Sequence, residues 1–417
     1  MINKPNTLVT YNFMAKSKSL KIGITFGIKE PGQNNFWVNG IIQNVVMLAK
    51  ALKSTERKHK VYLLNTSQYE DNMPFDTKEF PIVNFWKEHQ KMDLIIYLAT
   101  SVTPDITAAY KKANPKGKAV SYKCGNNYVI EMERIIFKDG DKSMIVGNDT
   151  EVDQVWQIPQ QEYQNQYYYE TLYRKPVVTV PFVWDPMFLQ KEIDAIDINH
   201  RNGDKRFPRP AKYRPTETKM LSIFEPNMNV VKFCMMPLLM AERSYRNPEI
   251  KDKIKFLSLT NAMALGTNPM FVDIVKRLDI YNDQKVYVEA RYPMPFFLSQ
   301  HTDIVLSHQW ENPLNYAYLD AMYMDFPIIH NADFIKDGGY FYPDFDIKIG
   351  EEVLNDVILN HDKNLEAYKE KNKPVLERYM STSKELGKAY DTLIDNLFKD
   401  PSANEKLVYN WKTNTYK

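Results

Sequence analysis

Between Asp303 and Asp346 the chain reads DIVLSHQWENPLNYAYLDAMYMDFPIIHNADFIKDGGYFYPDFD. A β-rich run ends at an acidic-amide corner, Glu311 and Asn312. A helix-like segment carrying Asp320 follows, and then a second short apolar strand, PIIHN. Two polar clusters at the ends of adjacent strand–helix units are what a sugar-nucleotide site needs. His308 and His330 end the two strands, where they can line a donor pocket. His308 and Glu311 are candidate catalytic groups, and Asn331 is a candidate donor contact.

Other candidates gather at the ends of other strands. FEPNMNVVK places Glu225 and Asn227 on a turn and Lys232 in the first turns of a helix expected over 230–244. A helix N-terminus beside a lysine suits a diphosphate, because unpaired N–H groups and a cation converge there. Arg291, after the KVYVEA strand, is a second cation for phosphate or donor contact. FWVNGIIQN opens the first long helix. Its Asn39 and Gly40 allow close backbone approach to a ligand, and Phe36 and Trp37 can stack on a sugar or a base. CGNN follows another strand and offers Asn126 and Asn127 to sugar hydroxyls. Asp105, in SVTPD, is a general base if the reaction inverts configuration.

Several chemistries lose ground. GxGxxG and the P-loop signature GxxxxGK[ST] are absent, against a dinucleotide enzyme or P-loop NTPase. The nucleophile elbow G-x-S-x-G is also absent. None of the seven histidines falls in an H-x-x-x-H pattern, so no metal is expected. Leaving-group charge then falls to helix ends and cations.

The string Asp320-Ala321-Met322, with Pro327 five positions on, resembles the E-A-M-x-x-G-x-P segment of retaining GT-B glycosyltransferases. Asp325 stands in that family's glycine position. The longer strings HQWENPLNYAYLDA, PIIHNADFIKDGGYFYPDFD, FEPNMNVVK and FWVNGIIQN look closest to an uncharacterised bacterial family grouped with the GT-B enzymes, over about residues 20–350. The resemblance implies two Rossmann-like domains facing across a cleft. It also implies a nucleotide-sugar donor, most simply a UDP-sugar, and no other cofactor. It gives Asp320 the ribose hydroxyls and Lys232 the diphosphate. The family's sugar-contacting acid lies eight positions before Asp320, where this chain has Asn312, with Glu311 one residue off.

These residues need a scaffold, and the chain supplies one. Buried apolar strands are expected at 21–27, 61–65, 93–99, 118–124, 155–159 and 177–184. A second series follows at 220–226, 254–260, 285–292, 303–309 and 327–331, with helices between. That pattern is α/β with parallel sheets covered on both faces. It reads as an N-terminal extension (1–20), a first Rossmann-like domain (21–185) on the acceptor side, a basic proline-rich linker (186–218), a donor-binding domain (219–349) and C-terminal helices with a weakly ordered tail (350–417). At 417 residues two domains are the default.

A net charge of +2, from 54 basic and 52 acidic residues, makes the whole chain no general polyanion binder. Locally, Arg201, Lys205, Arg206, Arg209, Lys212, Arg214 and Lys219 outnumber Asp204 and Glu217 between 199 and 219, with Phe207 and Tyr213 interleaved. This stretch suits a glycan or glycolipid acceptor, or duplex DNA carrying hydroxymethylated bases. A surface glycan is the leading acceptor, phage-type DNA the alternative, and a non-catalytic nucleotide-sugar-binding module a third reading. The first twenty residues lack the apolar core of a signal peptide, and no run is long enough to span a membrane. The expected location is the cytoplasm, including the inner membrane surface or a phage host's cytoplasm. Cys124 and Cys234 read as small buried residues in a reducing compartment.

Overall fold

A computed structural model of the chain describes residues 18–30, 40–137, 147 and 149–417. Phe36, Trp37 and Asn39 lie outside the described residues. The first sheet contains β1 (Lys21–Phe26), β2 (Lys60–Asn65), β3 (Ile82–Asn84), β4 (Leu94–Tyr97), β5 (Lys118–Lys123), β6 (Gln154–Gln157) and β7 (Val177–Thr179). It runs in the order β3-β2-β1-β4-β5-β6-β7. The second contains β8 (Lys219–Ile223), β9 (Ile254–Leu259), β10 (Val286–Val288), β11 (Ile304–Leu306), β12 (Ile328–His330) and β13 (Tyr340–Phe341). Its order is β10-β9-β8-β11-β12-β13. Every pairing in both sheets is parallel. Each sheet reverses direction of winding beside its first strand, between β1 and β4 and between β8 and β11. In such folds ligands bind outside the carboxyl ends of the strands at that point.

The helices that matter to the site are α1 (Gly40–Ser54), α2 (Pro104–Ala113), α3 (Asn127–Phe137), α4 (Glu162–Tyr173), α5 (Met187–Arg201), α6 (Met235–Tyr245), α7 (Met294–His301) and α8 (Tyr316–Tyr323). Three more, α9 (Ile347–Asn360), α10 (Leu365–Tyr379) and α11 (Lys384–Lys399), form the helical C-terminal segment. The last of these returns to the first domain. Its Leu386, Tyr390, Leu393, Ile394 and Leu397 share one buried core with Val45 and Leu48 of α1, and Asp391 meets His59 at 3.1 Å.

Two expectations about flexible chain are corrected. The basic segment is not a loose linker. Its first part is α5, which buries Phe188, Leu189, Ile193 and Ile196. The rest is pinned by charge pairs: Arg209 to Asp303 at 2.6 Å, Lys212 to Asp325 at 3.3 Å, Lys219 to Asp362 at 2.6 Å and Arg206 to Asp204 at 2.7 Å. Lys219 is 2% exposed inside β8, and Tyr213 is buried as well. Four of the seven cations that suited a polyanion are therefore matched within the fold.

The tail is ordered too. Residues 409–410 and 415–416 form an antiparallel hairpin, whose turn holds Asn414 at φ +55°. The Asn414 amide accepts from the Phe182 N–H at 2.9 Å and donates to the Phe182 carbonyl at 2.7 Å and the Arg378 carbonyl at 3.1 Å. Asn414→Ala strands those buried backbone groups. It should lower the unfolding free energy by about 2–3 kcal/mol, read from the urea midpoint; a loss below ~0.5 kcal/mol would refute the clamp.

Candidate active site

The carboxyl ends of both sheets face one cleft, and two adjoining cavities lie in it. The first, of about 200 Å³, takes Gly40, Asn44, Cys124, Gln160 and Phe182 from the first domain and Lys232, Asn312, Asn315 and Tyr316 from the second. The other, of about 210 Å³, lies in the second domain. Phe224, Pro226, Thr260, Asn261, Arg291 and Tyr292 line it, again with Lys232 and Asn315. Lys232 and Asn315 thus stand where the two cavities meet. Together they reach the roughly 300–1,000 Å³ of small-molecule sites.

Lys232 does not sit in a helix. The helix expected from Val230 begins only at Met235, so Lys232 belongs to the loop between β8 and α6. Asn227 explains that loop. It adopts φ +54°; its Nδ2 donates to the Glu225 carbonyl at 3.0 Å and its Oδ1 accepts from the Cys234 N–H at 2.9 Å. Asn227, expected to contact the donor, thus staples this loop. From the first domain, Glu133 on α3 accepts from the Val230 N–H at 3.1 Å. Burial holds the Lys232 ammonium down to about 8, with the Glu225 charge working the other way.

Glu225 lies behind Lys232 and lines neither cavity. Its carboxylate accepts from the Ser307 hydroxyl and from the His308 N–H at 3.1 Å, and the Tyr318 hydroxyl is 2.9 Å from that of Ser307. Burial raises the Glu225 carboxyl to about 7 despite the Ser307 bond, the lysine and the His308 N–H. Glu225, expected to contact the donor, is a buried carboxylate bonded to the strand end rather than part of either cavity wall. His308 is likewise withdrawn from the cleft. It is 4% exposed, its Nδ1 meets the Tyr342 hydroxyl at 2.9 Å, and burial lowers its pKa to about 4. His330 is enclosed, with its Nε2 3.2 Å from the Gly338 carbonyl. Asn331 joins two loops, bonding both backbone groups of Gln309 at 2.8 Å.

The corner after β11 settles which side chain enters the cleft. Glu311, at φ +52°, is exposed and lines neither cavity. Asn312 is buried in the wall, and its Oδ1 accepts from Gln161 Nε2 of the first domain at 3.3 Å. Asn315 caps α8 by accepting from the Ala317 N–H at 3.3 Å, so the start of that helix faces Lys232. Asp320 is one turn further on and lines neither cavity. Its Oδ1 accepts from Trp184 Nε1 at 2.9 Å. Burial lifts its pKa to about 7, the Trp184 bond opposing. Asp320, to which the resemblance gives the ribose hydroxyls, is here bonded between the domains.

On the first domain Gly40 begins α1, and a Cβ there would lie 3.4 Å from the Tyr316 ring. Asn126 is an N-cap: its Oδ1 accepts from the Val129 N–H at 3.3 Å. Asn127 bonds Glu131 within α3 at 3.1 Å. Cys124, expected to be a buried packing residue, instead lines the interdomain cavity. Asp105 is exposed in the first turn of α2, away from both cavities. Arg291 does line the second cavity. Among the described residues, no three metal-ligating side chains come together.

Sequence reasoning missed Asn44, Gln160, Asn261 and Asn315. Each stands just beyond a strand or in the first turns of a helix, inside or next to a segment already singled out. Polar residues immediately after QIP, SLT and NPL were the available signal.

Comparison with known proteins places this arrangement. A family described as "Protein of unknown function (DUF2827)" matches residues 22–394. The chain belongs to that family. No curated protein matches it. Among solved structures, the UDP-forming α,α-trehalose-phosphate synthase from Burkholderia vietnamiensis is similar at 10% identity and a TM-score of 0.54, over 93% of this chain and 98% of that one. The Burkholderia xenovorans enzyme, solved with glucose-6-phosphate, gives 9% identity and 0.53, over 91% and 100%. The pneumococcal O-GlcNAc transferase GtfA gives 9% and 0.43. This chain covers 57% of that protein's length. The DUF2827 chain has the GT-B fold: two Rossmann-like domains across a cleft, closed by C-terminal helices. No helix among its described residues is long and apolar enough to cross a membrane.

Proposed function

We propose that this DUF2827 protein is a glycosyltransferase that moves a sugar from a UDP-sugar to an acceptor hydroxyl on a surface glycan. The observation that carries the reading is the position of Lys232 and Asn315, shared by both cavities. The nucleoside occupies the cavity beside Arg291 and Tyr292. The diphosphate lies against Lys232 and the start of α8, where a cation and unpaired N–H groups favour negative charge. The sugar enters the interdomain cavity. The similarly folded trehalose-phosphate synthases are named as UDP-forming, which supports UDP as the leaving group.

Retention of anomeric configuration fits the lining. Among the described residues, neither cavity has a carboxylate or a histidine on its wall, whereas inversion needs a positioned base to take the acceptor proton. Asn312, in place of the family's acid, keeps a second reading open: a nucleotide-sugar-binding module without turnover. Duplex DNA loses support because Arg206, Arg209, Lys212 and Lys219 are already paired.

Calorimetric titration with UDP, followed by UDP release from UDP-glucose or UDP-N-acetylglucosamine with and without glycan acceptors, separates these readings. The transferase predicts binding and acceptor-dependent release. Binding without release selects the module, and no UDP binding defeats both.

A further inference from the structure

The interdomain cavity has an unusual wall. Among the described residues, its polar side chains from the first domain are Asn44, Cys124 and Gln160, and its only charged residue is Lys232, at the diphosphate end. Asn44 and Gln160 are 4% and 6% exposed. Gln160 donates through Nε2 to the Leu314 carbonyl at 3.3 Å, and Asn44 through Nδ2 to the Tyr316 hydroxyl. Asn44 Oδ1 and Gln160 Oε1 are buried with no partner among the described residues. A buried carbonyl oxygen without a donor costs about 1–3 kcal/mol. The Gln160 orientation is fixed, since the Leu314 carbonyl can only accept.

We propose that these two oxygens receive hydroxyl groups of the transferred sugar, and that this sugar is uncharged: a hexose or N-acetylhexosamine rather than a uronic acid. The inference rests on the transferase reading above. A neutral sugar brings hydroxyl donors, which both oxygens lack. A uronate carboxylate brings only lone pairs to the same oxygens. It would also enter a buried space where the described residues offer no cation beyond the one held for the diphosphate, and an unpaired buried charge is heavily disfavoured. A cavity of about 200 Å³ suits a single sugar ring.

The test compares UDP alone with UDP-glucose, UDP-N-acetylglucosamine and UDP-glucuronate by calorimetry on the full chain. UDP affinity reports the nucleotide site; the change on adding the sugar reports this cavity. At least one neutral UDP-sugar should bind roughly tenfold or more tighter than UDP, and UDP-glucuronate no tighter than UDP, since one well-made hydrogen bond is worth about a factor of ten. Gln160→Ala and Gln160→Met, which both remove the acceptor oxygen, should each erase most of that increment with the UDP constant unchanged; two variants guard against a folding defect in one. If UDP binds but glucuronate gains as much as glucose, or the Gln160 variants keep the increment, the proposal is overturned. If UDP itself fails to bind, the transferase reading falls first.

Discussion

Lys232→Ala should lower UDP-sugar turnover by roughly 10²–10³-fold, the usual cost of removing one preorganised group that meets developing charge. Among the described residues, Lys232 is the one charged side chain shared by the two cavity walls, Arg291 lining the second alone, and the departing diphosphate gains negative charge in the transition state. Two features add a pH signature. Burial brings the ammonium down to about 8, against the pull of Glu225, so the cation is present below that pH and lost above it. UDP affinity in the wild type should therefore hold to about pH 8 and then fall, by up to tenfold per unit. Binding at pH 8–9 should take up a proton, visible as a buffer-dependent heat. The alanine variant should lose both the slope and the proton uptake. Turnover within threefold of wild type, or an unchanged slope, would show that the diphosphate lies elsewhere.

The scaffold for this chemistry was largely legible. Strands such as KIGITF and DLIIYLA are buried on both faces in a parallel sheet, so they appear as continuous apolar runs. β3 and β13, of three and two residues, lie at the sheet edges with none of their residues buried, and leave no such run. α5 was hidden by the prolines and arginines after it, although Phe188, Leu189, Ile193 and Ile196 carry its helical spacing. The site was half legible. Lys232, Arg291, Asn312 and Gly40 do line the cleft. Glu225, Asn227, His308 and Asn331 have the right chemistry at the right chain positions. Which way a side chain turns at a strand end depends on loop geometry, such as the left-handed residues 227 and 311, and spacing does not encode that. The unpaired oxygens of Asn44 and Gln160 arise only when the two domains meet.

Asp320→Asn discriminates most sharply between what the resemblance implies and what the structure holds. If the carboxylate binds ribose, the change should weaken UDP by about 1.5–3 kcal/mol, the range for a hydrogen bond to a charged group. If Asp320 instead joins the domains through Trp184, UDP affinity should stay within about threefold and the effect should appear in stability. Its folded-state pKa is raised to about 7 from an ordinary 3.8, so the native state holds a proton that the unfolded chain releases. The associated stability is full below about pH 4 and disappears as pH rises through 7. Asparagine keeps the oxygen facing Trp184 Nε1 and has no charge to desolvate. Asp320→Asn should then match wild type near pH 4 and exceed it by roughly 1–4 kcal/mol at pH 8, in urea unfolding at the two pH values. Trp184→Phe removes the donor and leaves the carboxylate buried alone; it should destabilise most at pH 8. A tenfold loss of UDP affinity in Asp320→Asn without a gain at pH 8 would return Asp320 to the ribose.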